Sequence, residues 1–311
     1  MHGTQRENRP VRRGLGQTGQ ERLAGFLFIA PALLYMLALI GYPIVYNFLL
    51  GFQDVSAFNL AAGEARPFVG LANYRTVLAD ETMGPALRNT FFYTVCCLAF
   101  QFTLGLLFAL LFHQKFSLAQ PLRGLLVVSW MMPVTVTALL FKYMLSPDSG
   151  IINIILMGLG VIKQPVGWLV DRSTALYGPI MANTWIGVPF NMLLLTTGLT
   201  SIPEEVYESA SLEGAGPFQK FLRITLPLLR PAILAVLVLG FVYTFKVFDL
   251  IFVMTGGGPV NATEVLATFA YKLSFRFYYF GQGAAVANIL FVVLFCVALV
   301  YLRLIRTEEA A

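Results

Sequence analysis

Four carboxylates crowd into ten residues, at Glu204, Glu205, Glu208 and Glu213. Carboxylates at that density could serve as a general acid and base. Such chemistry needs partners, and the only histidines are His2 near the start and His113 at the end of an apolar run. Cys96, Cys97 and Cys296 all fall in apolar runs, and the adjacent pair lacks metal-ligand spacing, so a packing role is expected for them. No G-x-x-x-x-G-K-[ST] loop occurs, so the chain is not expected to hydrolyse ATP, and neither a metal site nor a catalytic residue is expected. What remains is recognition chemistry. Asn183, Thr184 and Asn191 are polar within one apolar run, where Gly187 and Pro189 would open or kink a helix. Tyr243 and Thr244 occupy a similar place in the next run, followed by Lys246 and Asp249. A polyhydroxylated solute crossing an apolar bundle needs hydrogen-bonding groups and aromatic faces of this kind. The other reading of Asn183 is a hydrogen bond between helices that only holds the bundle. A charge at mid-membrane costs about 2.5–3.5 kcal/mol on insertion scales. An i, i+3 ion pair between Lys246 and Asp249, or snorkelling, would reduce it. Lys142 is expected to snorkel.

The elements that must position these residues are membrane spans. Of 311 residues 58% are hydrophobic and 12% charged, against about 25% charged in average soluble domains. A helix needs about 20 mostly apolar residues to cross a bilayer. Six intervals come close to that length or exceed it, the fifth interrupted by Lys246, with spans expected at about 23–52, 89–113, 124–145, 173–200, 231–254 and 277–302. Residues 149–162 hold three glycines and are too short for a seventh, so an interfacial or re-entrant helix is expected there. Residues 1–20 and 307–311 read as tails, the first mobile, and residues 21–306 as one membrane domain. The first apolar run is too long and too far in for a cleavable signal peptide. With the N-terminus inside, the inner segments carry twelve Lys and Arg and the outer ones seven, which places both ends in the cytoplasm. The net charge of +5 then reflects topology and anionic lipid, not nucleic acid. In the longest outer loop Phe68, Leu71, Tyr74, Val77 and Leu78 recur at helical spacing.

The carboxylate cluster lies in a polar insert, residues 201–230, on the inner side. Ser201 and Glu204 have capping-box spacing, which predicts a helix from Ser201 to about Leu212. Gly214 and Gly216 break it, and Pro217 opens a second helix to about Leu226, which Pro227 and Pro231 end. Ile202, Val206 and Ala210 share one face of the first helix; Phe218, Phe221, Leu222 and Thr225 line one side of the second. A solvated loop does not need paired amphipathic helices, so these faces are expected to be covered, and exposed carboxylates there favour docking over catalysis.

The insert resembles the cytoplasmic loop of permease subunits in binding-protein-dependent ABC importers. Its pattern is Glu-Ala-Ala, three residues, Gly, then Ile-x-Leu-Pro after a gap. Glu208, Ser209 and Ala210 stand for the triplet, Gly214 for the glycine, and Ile224, Leu226 and Pro227 for the end. Ser209 replaces the usual second alanine, and Glu213 stands where the carbohydrate branch more often has Asp. FVGLANY (68–74), NTWIGVPF (183–190), SIPEEVYE (201–208) and FDLIFVMTGGGP (248–259) extend the likeness to the carbohydrate-uptake branch, typified by the larger maltose permease, over nearly the whole chain. The resemblance implies an all-α, six-span type I importer permease of a bacterial or archaeal cell membrane. Implied partners are a second permease, two cytoplasmic ATPase subunits that hold ATP and Mg, and an external solute-binding protein. It also implies that Glu208, Ser209, Ala210, Gly214, Ala215, Phe218, Ile224 and Pro227 dock an ATPase, with Glu208 opposite a basic residue. Asn183 and Gly187 match positions near bound sugar in the maltose importer, with Phe190 nearby. An ion-coupled transporter would leave the insert unexplained, since Lys246 and Asp249 are the sole intramembrane ionisable pair expected; a non-transporting scaffold is the third reading.

Overall fold

The structure, a computed structural model, describes residues 15–63, 66–114 and 116–309. Residues 1–14 of the expected tail and Lys115 lie outside the described residues. Every regular element among those described is helical, and one isolated antiparallel bridge joins Gln53 to Phe68. The chain divides into two units, residues 1–49 and 50–311.

The first unit is one long apolar rod. Helix α1 (Leu15–Met36) passes through a π turn (Leu37–Gly41) into α2 (Tyr42–Gly51). The π turn has a local cause: the Tyr42 N–H reaches back to the Leu37 carbonyl, which widens the helix just where the ring of Pro43 would otherwise crowd a carbonyl four residues back. Helix α1 begins inside the stretch read as a tail, so residues 15–20 belong to the rod. The apolar side chains of the rod, such as Phe28 and Leu34, are exposed on this unit, and its stretch Arg22–Gly51 is long and apolar enough to span.

In the second unit, α3 (Ala57–Ala61) and α4 (Ala72–Ala79) precede the long helix α5 (Met83–His113). Of the stripe expected on α4, Val77 is buried while Phe68, Leu71 and Leu78 are exposed. What seats α4 is polar: Asn73 Nδ2 donates to the carbonyls of Gly51 at 3.0 Å and Gln53 at 2.9 Å, which the end of α2 leaves without helical partners.

The expected third span is broken. Helices α6 (Ala119–Met131) and α7 (Val134–Met144) meet at 98°. Pro133 forces Met132 into extended backbone (ψ 139°), because a residue before proline is crowded out of the helical region. Lys142, expected to snorkel, donates to the Val253 carbonyl at 3.2 Å. Helix α8 (Ile151–Gly158) is too short to cross. Asn153 pins it by accepting from Trp168 Nε1 at 2.8 Å and donating to the Val166 carbonyl at 3.0 Å.

Helix α9 (Tyr177–Thr200) runs 24 residues with Pro189 inside it and is not interrupted there. At about 1.5 Å per residue its length, about 36 Å, matches the thickness of a bilayer core. Helix α10 (Glu204–Leu212) turns away from it by 65°. Ser201 does not open α10; its Oγ donates to the Gly198 carbonyl at 2.7 Å, closing α9, and Pro203 precedes α10. The second insert helix does not stop at Pro227 either. Helix α11 (Pro217–Lys220), a π turn (Phe221–Thr225) and α12 (Leu226–Phe245) form one apolar stretch of 29 residues. Pro227 falls in the first turn of α12, where its missing N–H costs nothing, and the π turn before it again absorbs the proline ring.

The expected fifth span is cut short. Helix α12 ends at Phe245, and α13 (Asp249–Met254) is a separate short helix. After α14 (Leu266–Tyr271) and a third π turn (Lys272–Arg276), α15 (Phe280–Glu309) forms the last span and runs into the stretch read as the C-terminal tail. Among the described residues four helices are long and apolar enough to cross a membrane, and up to six when each bent pair counts as one. Helix α5 packs along α9 and α12. Towards the insert Ala109, Met192, Leu195, Leu229 and Val236 form a core, and at the far end Tyr93, Cys97, Ile180, Ile251 and Val265 form another.

Candidate functional site: a polar cavity and a hinged elbow

The break after α12 opens a cavity of about 440 Å³ between α9, α12 and the 246–250 segment. All seven residues expected along a solute path, Asn183, Gly187, Phe190, Tyr243, Thr244, Lys246 and Asp249, line it. Successive helical turns place Asn183, Gly187, Phe190 and Asn191 of α9 on the same side as Tyr243 and Thr244 of α12. Thr184, one residue from Asn183, faces a separate apolar groove of about 610 Å³.

Two residues that the sequence reading passed over complete the walls. Gln101, buried on α5, donates from Nε2 to the Asn183 carbonyl at 2.9 Å. Trp130, at the end of α6, stacks obliquely on Phe190 with ring centroids 5.8 Å apart. Gln101 is the one amide side chain between Asn89 and Gln114 in an apolar run, which was a usable signal; Trp130 lies in the last turn of α6, just before the break at Pro133. Gly187 is a close-approach glycine: a Cβ there would lie 2.2 Å from Gln101 Cδ.

The cavity holds unspent hydrogen-bonding capacity. Asn183 Nδ2 and Asn191 Oδ1 are buried and lack protein partners among the described residues, while Asn191 Nδ2 donates to the Gly187 carbonyl at 2.8 Å. An unmet buried polar atom costs about 1–3 kcal/mol, which a hydroxyl-bearing ligand would relieve. Beside the amides stands a strip of rings, Trp130, Phe190 and Tyr243, the last two edge to face at 6.3 Å. Lys246 lies over the Tyr243 ring, its Nζ 5.4 Å from the centroid. The expected Lys246–Asp249 ion pair does not form. Lys246 caps α12 and Asp249 opens α13, so the i, i+3 helical geometry is lost, and both charges sit exposed on the cavity wall.

At the other end of α12, about 30 Å away for 20 residues at 1.5 Å each, the insert folds into a braced elbow. Gly214 takes φ +83°, a left-handed conformation suited to glycine, and the Ala215 N–H closes the turn onto the Ala210 carbonyl at 2.9 Å. Ser209 Oγ donates back to the Glu205 carbonyl at 2.8 Å. The two arms are tied by Tyr207 OH and Thr225 Oγ1 at 3.1 Å and by Lys220 Nζ donating to Ser211 Oγ at 2.5 Å. Neither tie was foreseen, because each joins residues of opposite arms. Glu208 is exposed on the outside of the bend, as are Leu212 (92%) and Phe218 (72%). Ala210, Ala215 and Ile224 are half-buried, and Pro227 is exposed.

In sequence and fold the chain is similar to known proteins. Residues 101–306 match the family described as binding-protein-dependent transport system inner membrane component. The chain is 33% identical over 291 residues to the trehalose/maltose transport system permease protein of Thermococcus litoralis, covering 92% of this chain and 95% of that one. It is 32% identical over 289 residues to the sulfoquinovosyl glycerol transport system permease protein of Agrobacterium fabrum, covering 93% and 92%. The fold is shared with a chain of a bacterial ABC transporter involved in the import of the acidic polysaccharide alginate, at TM-score 0.79 and 22% identity, over 94% of this chain and 98% of that one. With a type I importer permease fold, a membrane-spanning helical body and a family match over most of its length, this chain belongs to the binding-protein-dependent transport system inner membrane components.

Proposed function

We propose that the chain forms part of the translocation path of an ATP-driven importer for a carbohydrate or related polyol. The observation that carries this reading is a cavity lined both by Asn183 and Asn191, whose buried Nδ2 and Oδ1 respectively lack hydrogen-bond partners among the described residues, and by the Trp130–Phe190–Tyr243 ring strip. Sugars present hydroxyls at their edges and C–H groups on their faces, and such a wall meets both. The named sugar and sugar-derivative relatives support the same class of solute.

The elbow faces the cytoplasm, as do both chain ends, in keeping with the Lys and Arg excess on those segments. There a separate ATPase grips it: Glu208 offers a charge, Leu212 and Phe218 offer uncovered apolar surface, and Ser209, Ala210, Gly214, Ala215, Ile224 and Pro227 set the bend. Because α11, the π turn and α12 are continuous, displacement of the elbow moves Tyr243 and Thr244 at the cavity. This chain supplies the path and the lever; ATP and Mg sit on the ATPase pair. A second permease closes the path, and a solute-binding protein delivers from outside. The test is reconstitution with the cognate partners and a screen of glycans and polyols for stimulated ATP hydrolysis and uptake. Uptake driven by an ion gradient without ATP would overturn the reading.

A further inference from the structure

The cavity does not end at its wall. Phe248 lines it, and its ring packs at 5.0 Å against both Phe252 and Tyr271. Those two rings meet each other at 5.0 Å, and Tyr271 packs at 5.2 Å against Phe275, which is 62% exposed. Four rings thus run from inside the cavity to the surface at the end away from the elbow. Three elements contribute: the segment between α12 and α13, α13 itself, and α14 with its π turn. The geometry of that turn is selective. Lys272 points the other way, to the buried Glu264 carboxylate at 2.5 Å, so Tyr271 and Phe275 are left side by side on the face towards Phe252. Lys246 and Asp249, both exposed and both on the cavity wall, flank Phe248. The row therefore begins between an ammonium and a carboxylate, the groups that bind hydroxyls at the edge of a ring stacked on an aromatic face.

We propose that Phe248, Phe252, Tyr271 and Phe275 form an outer subsite that stacks further sugar rings of a substrate at least two rings long. The inner rings and amides hold the leading sugar unit, and the outer rings hold the next. The inference rests on the carbohydrate reading above and adds a length preference to it. The expected effect is a change of up to about tenfold per sugar unit, about 1.4 kcal/mol.

The test uses the full complex in proteoliposomes, with the solute-binding protein unchanged. Initial uptake of labelled mono-, di-, tri- and tetrasaccharides of the gluco, galacto, xylo and uronate series is measured for the native chain and for Phe275→Ala and Tyr271→Ala. The native chain carries solutes of two or more rings, and the alanine variants lose uptake progressively with solute length, up to about tenfold per added ring. Phe275→Trp and Tyr271→Phe, which keep a ring, retain the native length profile. Equal loss at every length, or no loss, overturns the subsite and leaves the rings as packing or lipid-facing surface. Native uptake confined to single-ring solutes also overturns it while leaving the importer assignment standing. Failure of every glycan in the native complex overturns the carbohydrate reading and the subsite together.

Discussion

Gly187 and Gln101 share one small volume, so the cavity wall has no slack at that point. Gly187→Ala places a methyl group on the Gln101 amide. Gln101 must then swing away and release the Asn183 carbonyl. Overpacking of this kind costs about 1–3 kcal/mol, and thermal unfolding in detergent should register it as a lowered midpoint. Asn183→Ala has the opposite balance. It removes a buried donor with no hydrogen-bond partner among the described residues, so folding stability should change little while solute affinity falls by about 1 kcal/mol, the worth of one hydrogen bond. If instead the variant unfolds readily and binds solute normally, Asn183 is a structural bond between helices and not part of the path. Lys246 teaches a local lesson: spacing of three residues predicts an ion pair only if the helix continues, and here it stops at Phe245.

The elbow is the element whose mechanics can be separated from its fold. Gly214→Ala forces a side chain into left-handed backbone at about 1–2 kcal/mol. Since nothing contacts that position, the effect should be confined to the bend. ATP hydrolysis that no longer responds to solute, with normal membrane insertion, is the expected reading in proteoliposomes. Glu208→Lys inverts the exposed charge without touching either brace between the arms. Like-charge contact with a basic partner costs several kcal/mol, and solute uptake should be lost while the subunit still reaches the membrane; unimpaired uptake removes Glu208 from the docking surface. The π turns belong to this scale too. Pro227 reads as a break in a window of sequence, yet like Pro43 it follows a five-residue turn that widens the helix and lets it continue. That is why the second elbow arm and the fifth span form one continuous helical stretch.

Across the whole molecule, the long connection between α12 and α15 is built as core, not as loop. Asn89 of α5 donates one amide to the carbonyls of Ala262 and Glu264 at 3.0 Å each, and Thr90 Oγ1 accepts the Leu266 N–H at 3.0 Å. Glu264 is fully buried with Lys272 as its ionic partner. Lys272→Met strands that carboxylate and should destabilise the protein by about 3–5 kcal/mol, visible as a lowered melting midpoint, whereas adding Glu264→Gln to it should restore part of the loss. Composition and spacing were sufficient for the membrane class, the first, second, fourth and last spans and the turn at Gly214, because apolar run length, charge bias and glycine or proline placement act over a few turns of chain; the family resemblance was needed to single out Asn183, Gly187 and Phe190, which the structure places on one cavity wall. The positions where helices α6–α7 and α12–α13 part, the recruitment of Gln101 and Trp130, and the ring row beyond Phe248 depend on residues far apart in sequence, such as the pair Gln101 and Asn183 separated by 82 positions. No local pattern encodes which side chains meet across helices; only close packing in three dimensions decides that, and it is packing that turned scattered polar and aromatic residues into one cavity.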